Sequence, residues 1–332
     1  MSTIRWAVIG AGDVVERRVA KALQTAEGST LLAAVRRDEA KLQAFAEKFG
    51  VPRAYKDAAD VWNDPDIDAV YVATPVMMHA EHTMEAARHG KHVLCEKPMA
   101  LNAAEAEGMI AVCREHGVKL GIAYYRRFYP KIQKMKQLID SGAIGKPVYA
   151  RAQFSGKTNH AGTDRAWLLR PEVSGGGPLM DVGTHVIDLL CYCLGEPRQV
   201  SAMTGNVLQE LDVEDTASVL IQFASGCHAS VHASFSTAAG NQLELFGTEG
   251  KLTMKTIEDS ELVWTNGAGE VQLFDLPKHE NMNVPMIERF IEYIRGGQSF
   301  PSEGKQGILA SRVAEAAYRS AAEGRHISVL DK

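Results

Sequence analysis

Two short stretches of the chain combine residues that could carry out acid-base chemistry. In the first, the apolar pair Val93-Leu94 leads into Glu96-Lys97-Pro98, which predicts a strand that ends where proline stops strand pairing. If that strand belongs to a parallel sheet, Lys97 lies at the carboxyl edge, where such sheets bind ligands. In the second, Asp181 and His185 are four residues apart in a helical pattern and share one helix face.

A carboxylate one helical turn from a histidine can fix the orientation and the tautomer of the imidazole ring. A general acid or base needs both. Asp188 continues the same predicted face, whereas Val182, Val186 and Leu189 form an apolar stripe on another. Taken alone, this spacing is also typical of an ordinary polar helix face, and a lone lysine in a loop is commonly just solvated. Whether the two stretches form a functional site therefore depends on the strands and helices that position them.

The N-terminal third of the chain predicts a nucleotide-binding scaffold. A strand at 5–9 leads directly into Gly10-Ala11-Gly12, and a helical pattern follows. Gly10 permits a tight turn, and Gly12 lets the backbone approach a pyrophosphate at the helix N-terminus. The third glycine of the full motif is absent, since Val15 stands there. Further strands at 31–35, 54–55, 68–73, 93–95 and 119–123 alternate with helices, which predicts a doubly wound parallel sheet.

The residues after the second strand indicate which cofactor binds. Arg36 and Arg37 stand where an NAD site usually has an acidic residue for the ribose hydroxyls. Because arginine can hold a 2′-phosphate by two parallel hydrogen bonds, we predict NADP(H) as the preferred cofactor, with NAD(H) as the alternative. Asp38 would oppose this preference if it faced the ribose, but we expect it to cap the next helix.

From residue 124 onward, the pattern changes to strands of period two separated by hairpin-like turns. The predicted fold class is α/β, with an N-terminal doubly wound parallel (Rossmann) sheet. A C-terminal α+β domain with a large open, mainly antiparallel sheet follows. We place the dinucleotide-binding Rossmann domain at 1–123 and an α+β domain for substrate binding and oligomerisation at 124–332.

Composition excludes several classes of protein. The chain of 332 residues has 36 Lys and Arg against 41 Asp and Glu, so no basic field favours a nucleic-acid partner. Apolar runs fall short of the roughly 20 residues of a membrane span, and five cysteines without framework spacing favour reduced thiols. We predict a cytoplasmic protein with no metal, because His228 and His232 lie too far apart along one strand to share an ion.

With these pieces in line, the chain resembles the glucose-fructose oxidoreductase / inositol dehydrogenase / MocA (Gfo/Idh/MocA) family from end to end. The resemblance rests on Gly10-x-Gly12, Val72-Ala73-Thr74-Pro75 with His79, the stretch 90–98, Arg127-Phe128-x-Pro130, and Gly175-Gly176-Gly177 with Asp181, Gly183, His185 and Asp188. It implies an NAD(P)-dependent oxidoreductase that interconverts a hydroxyl and a carbonyl on a sugar, cyclitol or similar polyol. A homodimer or homotetramer formed through the sheet face is also implied.

The resemblance also implies roles for single residues. Lys97 and His185 are the implied catalytic pair, with Asp181 helping to hold substrate, and we expect the substrate to lie between the two domains. The implied cofactor-binding residues are Gly10, Gly12, Asp13, Val14, Arg36, Arg37, Thr74, Pro75, His79, Glu96 and Lys97. The implied substrate-binding residues are Tyr124, Arg127, Trp167, Arg170, Asp181 and His185. Family members often have Trp-Arg before the triple glycine, but Leu168 follows Trp167 here, so Arg165 or Arg170 has to replace that arginine.

Two other functions stay open at this point. One is a non-catalytic regulator that senses nucleotide or sugar on the same fold, since a fold alone does not determine function. The other is a dehydrogenase of aromatic trans-dihydrodiols. The presence of both Lys97 and His185 argues against the regulator.

Overall fold

A computed structural model of the chain describes residues 3–238 and 240–329. These residues form two compact units. Of these residues, the first unit takes those within Met1–Ala100, Ala104–Tyr125 and His279–Ile308, and the second unit those within Leu101–Ala103, Arg126–Lys278 and Leu309–Lys332. The sequence predicted two continuous domains, whereas in the structure the segment His279–Ile308 belongs to the first unit. The substrate-binding and oligomerisation roles of residues 124–332 stay predictions.

The first unit is built on a parallel sheet of six strands. They are β1 (Ile4–Ile9), β2 (Ser29–Val35), β3 (Arg53–Tyr55), β4 (Ala69–Val72), β5 (His92–Cys95) and β6 (Leu120–Ile122). All neighbours pair in parallel, in the order β3-β2-β1-β4-β5-β6. This order reverses between β1 and β4, where open parallel sheets bind their ligands. The predicted Rossmann sheet is confirmed.

The second unit contains a mixed, mainly antiparallel sheet of nine strands. They are β7 (Pro147–Ser155), β8 (Pro197–Gly205), β9 (Thr216–Phe223), β10 (His228–Ser234), β11 (Gly240–Gly247), β12 (Gly250–Met254), β13 (Glu261–Asn266), β14 (Val271–Asp275) and β15 (Ile327–Ser328). Their order is β14-β13-β12-β11-β7-β10-β9-β8-β15. Only β7 and β10 pair in parallel among these described strands. The predicted open sheet is confirmed.

Helices complete both units. They are α1 (Ala20–Thr25), α2 (Glu39–Phe49), α3 (Ala58–Trp62), α4 (His79–Arg88), α5 (Ala103–Glu115), α6 (Pro130–Asp140), α7 (Pro171–Ser174), α8 (Thr184–Leu194), α9 (Val284–Ile294) and α10 (Gly304–Glu323). A π-helical turn precedes α1 at Val15–Val19, and another precedes α8 at Leu179–Gly183. Such turns are rare in proteins overall, and those that occur are often found at functional sites. Both lie next to motifs that the sequence singled out.

Aromatic packing explains why the segment His279–Ile308 joins the first unit. Phe290 of α9 and Phe300 are almost fully buried, with ring centroids 5.2 Å apart. A Cβ at Gly121 of β6 would lie 2.6 Å from the Phe300 ring and 2.8 Å from the Phe290 ring. The absence of a side chain at Gly121 therefore admits both rings against the sheet.

Across residues 3–238 and 240–329, none of the helices combines the length and the apolar composition that a membrane span requires.

Candidate active site

The glycine turn after β1 depends on Gly10. This residue has φ +90°, which favours glycine, and a Cβ on it would lie 2.9 Å from the carbonyl group of Ala73. The backbone N–H groups of Gly10 and Ala11 both donate to the Val35 carbonyl oxygen, at 3.1 and 3.0 Å. The turn is therefore held between the ends of β2 and β4, at the reversal point of the strand order.

The surroundings of this turn fit a dinucleotide. The nearest atom to a Cβ on Gly12 would be the Gly10 carbonyl oxygen, at 3.9 Å, so the backbone there is open to a close-lying group. Helical structure begins directly afterwards, and the first N–H groups of a helix can bind a phosphate. Asp13 pairs with Arg17 at 2.6 Å, and Val14 is 36% exposed. The cofactor contacts predicted for Asp13 and Val14 stay predictions.

Arg36 lies against the glycine turn, because its Nη1 atom donates to the Ala11 carbonyl oxygen at 2.8 Å. Its neighbour Arg37 is exposed. The side chain of Asp38 accepts a hydrogen bond from the backbone N–H of Lys41 at 3.1 Å and caps α2, as the sequence predicted. The carboxylate that would favour NAD is therefore engaged at a helix start.

His79 was predicted to contact the cofactor, but its ring is buried, at 1% exposure. Its Nδ1 atom lies 2.9 Å from the Pro98 carbonyl oxygen and its Nε2 atom 2.8 Å from that of Thr74. Burial lowers the pKa of His79, whereas the two carbonyls raise it. His79 thus joins the loop after β4, with Thr74 and Pro75, to the loop after β5, with Lys97.

Glu96 supports the backbone of Lys97. Its carboxylate accepts from the Tyr71 hydroxyl at 2.7 Å and from the Lys97 N–H at 3.2 Å. Burial raises the pKa of Tyr71, and the charge of Glu96 adds to this effect, so Tyr71 remains a donor. Lys97 is half-buried at the carboxyl edge of the sheet, where the sequence placed it.

Two buried residues lie close to Lys97 in the sequence or the sheet. Cys95 is fully buried, and burial raises the pKa of its thiol, which agrees with the predicted structural role. Tyr124, which follows β6, is 1% exposed. The contact predicted between Tyr124 and the substrate stays a prediction.

In the second unit, Asp181 pairs with Arg165. The Nη2 atom of Arg165 lies 3.0 Å from a carboxylate oxygen of Asp181, which is 9% exposed. Of the two arginines left open by the sequence, Arg165 is therefore the one at Asp181. Arg170, predicted to bind substrate, instead pairs with Glu172 at 2.8 Å, with both side chains largely exposed.

His185 lies in the first turn of α8 and is buried next to an aromatic ring. Its ring stacks on Phe154 of β7, with centroids 6.0 Å apart and an interplanar angle of 22°. The guanidinium of Arg126 lies 4.8 Å from the centroid of the same Phe154 ring. The Phe154 ring is thus a nearly parallel neighbour of the imidazole. Trp167, the platform predicted from the sequence, is half-buried in a short 3₁₀ turn at Ala166–Leu169.

Arg127 and Asp188 form a buried ion pair. Nε and Nη2 of Arg127 donate to the two carboxylate oxygens of Asp188 at 2.9 and 2.6 Å, and both residues are 1% exposed. Burial raises the pKa of Asp188, and Arg127 opposes the increase. The substrate contact predicted for Arg127 stays a prediction; the structure shows a bidentate pair that ties the start of the second unit to α8.

The sequence did not single out His160, which lies in the loop after β7 and is 7% exposed. Its Nε2 atom has no hydrogen-bond partner within residues 3–238 and 240–329. Burial lowers the pKa of His160, Arg165 lowers it further, and Asp181 opposes them. The sequence around His160 is a glycine-containing loop, and nothing in it indicates that the histidine is buried near Arg165 and Asp181.

Comparison with known proteins identifies the family. Residues 4–124 match the model of the oxidoreductase family with an NAD-binding Rossmann fold, and residues 132–253 match that of the GFO/IDH/MocA C-terminal domain. The chain belongs to the Gfo/Idh/MocA family. It is an oxidoreductase with an NAD-binding domain, as the sequence predicted, and the reading as a non-catalytic regulator is set aside.

Three similar proteins show the range of this family. The chain is 31% identical over 329 residues to 1,5-anhydro-D-fructose reductase of Ensifer adhaerens, covering 97% of each chain. It is 33% identical over 251 residues to trans-1,2-dihydrobenzene-1,2-diol dehydrogenase of Mus musculus, covering 74% of this chain and 73% of the relative. The crystal structure of aldose-aldose oxidoreductase from Caulobacter crescentus, complexed with glycerol, has a TM-score of 0.91 and 30% identity, covering 98% and 99% of the two chains.

Proposed function

We propose that this enzyme interconverts a hydroxyl and a carbonyl on a sugar, cyclitol or similar polyol. The observation that supports it most is the ion pair between Arg165 and Asp181, and Asp181 lies in the π-helical turn that leads into the helix of His185. Several hydroxyls on one ring can hydrogen-bond to these charged groups, whereas an apolar substrate would exclude water from them and give no hydrogen bond in return. The name of the Ensifer adhaerens relative, a reductase of a sugar derivative, supports the same class of substrate.

A bound nicotinamide supplies the chemistry that gives or takes a hydride. We propose that, during oxidation, His185 takes the proton of the hydroxyl whose carbon loses the hydride. Lys97 stabilises that oxygen through its positive charge, and Asp181 holds a neighbouring hydroxyl. During reduction, the proton returns from His185 to the new hydroxyl.

A substrate panel tests this proposal. We expect sugars and cyclitols with adjacent hydroxyls to be oxidised with a much higher kcat/KM than ethanol or 2-propanol. Removing one contacted hydroxyl from a substrate should cost about 5- to 150-fold, the cost of leaving a buried polar group unpaired. The measurement is the rate of nicotinamide reduction, followed by fluorescence. Equal turnover of simple alcohols and sugars would show that the polar groups do not select the substrate.

The same substrate panel also tests a second candidate function, the oxidation of an aromatic trans-dihydrodiol. The mouse relative is named for this activity, and an aromatic ring, that of Phe154, lies next to His185. Including trans-1,2-dihydrobenzene-1,2-diol therefore compares the two classes directly. A kcat/KM for the diol above that of every sugar would favour this candidate.

We propose in addition that NADP(H) is preferred over NAD(H). The support is the position of Arg36, whose guanidinium is anchored at the carbonyl of Ala11 in the glycine turn. The capping role of Asp38 removes the carboxylate that would repel a 2′-phosphate. The ratio of kcat/KM for the two cofactors measures this preference.

We also propose that the enzyme forms a homodimer or homotetramer through the open face of the nine-stranded sheet. Alternate residues along β8 and β9 are exposed there, including Met203 at 80% and Leu220 at 60%. Leu220→Lys would place a buried charge from each subunit in such an interface and should lower the mass measured by light scattering. Val207→Lys, in an exposed loop, is the control. A wild-type monomer at micromolar concentration would refute the proposal.

A further inference from the structure

Three consecutive glycines precede the π-helical turn that carries Asp181, and the contacts of the second unit show why they are needed. A Cβ on Gly176 would lie 2.0 Å from the hydroxyl oxygen of Tyr318 on α10. A Cβ on Gly177 would lie 2.1 Å from the carbonyl oxygen of Glu214, just before β9. The glycine run therefore lets two remote residues approach the backbone at the start of this turn.

The carboxylate of Glu214 takes up the N–H groups that the helix start leaves unpaired. Its Oε2 atom accepts from the Gly177 N–H at 2.9 Å, and its Oε1 atom from the Leu179 N–H at 3.0 Å. Pro178, between them, has no N–H to satisfy, and the next two N–H groups donate to the Gly177 carbonyl. A carboxylate from outside the helix thus acts as its N-cap, and a negative charge is stabilising at a helix N-terminus because of the helix dipole.

Tyr318 completes the arrangement, because its hydroxyl donates to Oε1 of Glu214 at 2.9 Å. Burial raises the pKa of Tyr318, and the charge of Glu214 adds to the increase, so the phenol remains protonated and keeps donating. Three separate parts of the second unit therefore meet at one carboxylate: the glycine run, the residue before β9, and α10.

We propose that Glu214 and Tyr318, together called the Glu214–Tyr318 clamp, are positioning residues that fix Asp181 and His185 for the reaction. The inference rests on the proposed roles of Asp181 and His185. Both follow the clamped N–H groups within one to two turns, so a shift of the helix start moves their side chains directly. Small displacements of reacting groups can lower rates about 100-fold.

The chain contains a matched pair for comparison in the first unit. The hydroxyl of Tyr293 on α9 donates to a carboxylate oxygen of Glu303 at 2.7 Å. The chemistry and distance resemble those of Tyr318 and Glu214, but the pair lies among none of the proposed working residues. Tyr293→Phe and Glu303→Gln therefore control for loss of a tyrosine–carboxylate hydrogen bond as such.

The first readout is independent of activity. Hydrogen exchange of the Gly177 and Leu179 amides, measured by mass spectrometry on the full chain, should be about 2- to 10-fold faster in Tyr318→Phe and Glu214→Gln. This is the change expected from weakening one hydrogen bond of ordinary net strength. The NMR signal of the His185 ring, labelled at Cε1, should also move, because the ring current of Phe154 depends on their stacking. Neither readout should change in the control variants.

The second readout is kinetic. With the best substrate of the polyol panel, kcat should fall about 10- to 100-fold in Glu214→Gln and less in Tyr318→Phe, with the cofactor KM unchanged. Unchanged exchange and an unmoved His185 signal in both clamp variants would overturn the inference, whatever the activity. Loosened exchange with wild-type kcat would equally overturn the positioning role. If the wild type oxidises no polyol, the proposed function fails, while the exchange and the His185 signal still decide the clamp.

Discussion

Removing the charge of Lys97 or the imidazole of His185 should lower kcat by about 100- to 10,000-fold, the usual contribution of a positioned acid-base group. Lys97→Met keeps the apolar stem of the side chain, and His185→Asn keeps a polar group of smaller size. The dissociation constant of the cofactor, measured by nicotinamide fluorescence, should stay within a few-fold of wild type, since the glycine turn and Arg36 remain in place.

Two matched variants control for the loss of any lysine or histidine. Lys136→Met removes a half-buried lysine that pairs with Asp140 within α6, and His228→Asn removes an exposed histidine of β10. Both should retain wild-type kcat. Near-normal turnover in both Lys97→Met and His185→Asn would show that the assignment of these residues is wrong.

Changing Arg36 to aspartate should shift the ratio of kcat/KM from NADP(H) toward NAD(H) by at least 10-fold. A charge-assisted contact between arginine and phosphate is worth roughly 1.5–3 kcal/mol, or about 10- to 150-fold in affinity. The carboxylate adds repulsion of the 2′-phosphate and a hydrogen-bond acceptor for the ribose of NAD.

Arg37→Asp is the matched variant, because it changes the net charge equally at an adjacent exposed position. It should have the smaller effect, since only Arg36 is anchored at the glycine turn by the Ala11 carbonyl. A wild-type enzyme that uses NAD(H) more efficiently than NADP(H) would refute the preference.

Local sequence was sufficient to predict the parallel sheet and the capping role of Asp38. Each strand is a short apolar run bounded by a helical pattern, and these signals depend on neighbouring residues alone. A carboxylate directly before a helix likewise has its N–H partners close by in the chain. The strands of the second sheet were also readable from their alternation, although their order was not, because β7 pairs with β10 and β11 across long stretches of chain.

The discontinuous first unit could not be predicted, because it depends on packing between distant residues. Phe290 and Phe300 lie against Gly121, from which they are separated by more than 160 residues. A glycine in a strand signals a close approach but does not say what approaches. The same holds for Gly176 and Gly177, whose partners Tyr318 and Glu214 carry no signal of their own.

The neighbours of Asp181 could be predicted only in part. Helical periodicity placed Asp181 and His185 on one face, but it assumes 3.6 residues per turn, whereas a π-helical turn covers Leu179–Gly183. The same periodicity placed Asp188 on that face, where the structure shows it paired with Arg127 in a buried ion pair. Arg165 was one of two arginines left open, and its contact with Asp181 depends on the path of the loop before α7.

The most direct test of hydride exchange with a polyol is isotopic. Cofactor deuterated at the transferable position of C4 is mixed with the enzyme and carbonyl forms of the panel sugars, including 1,5-anhydro-D-fructose. We expect one deuterium on a single carbon that becomes hydroxyl-bearing, in the wild type and in the Lys136→Met control, and a far slower transfer in His185→Asn. Cofactor that binds to the enzyme while no deuterium reaches any of the panel sugars would contradict the proposed function.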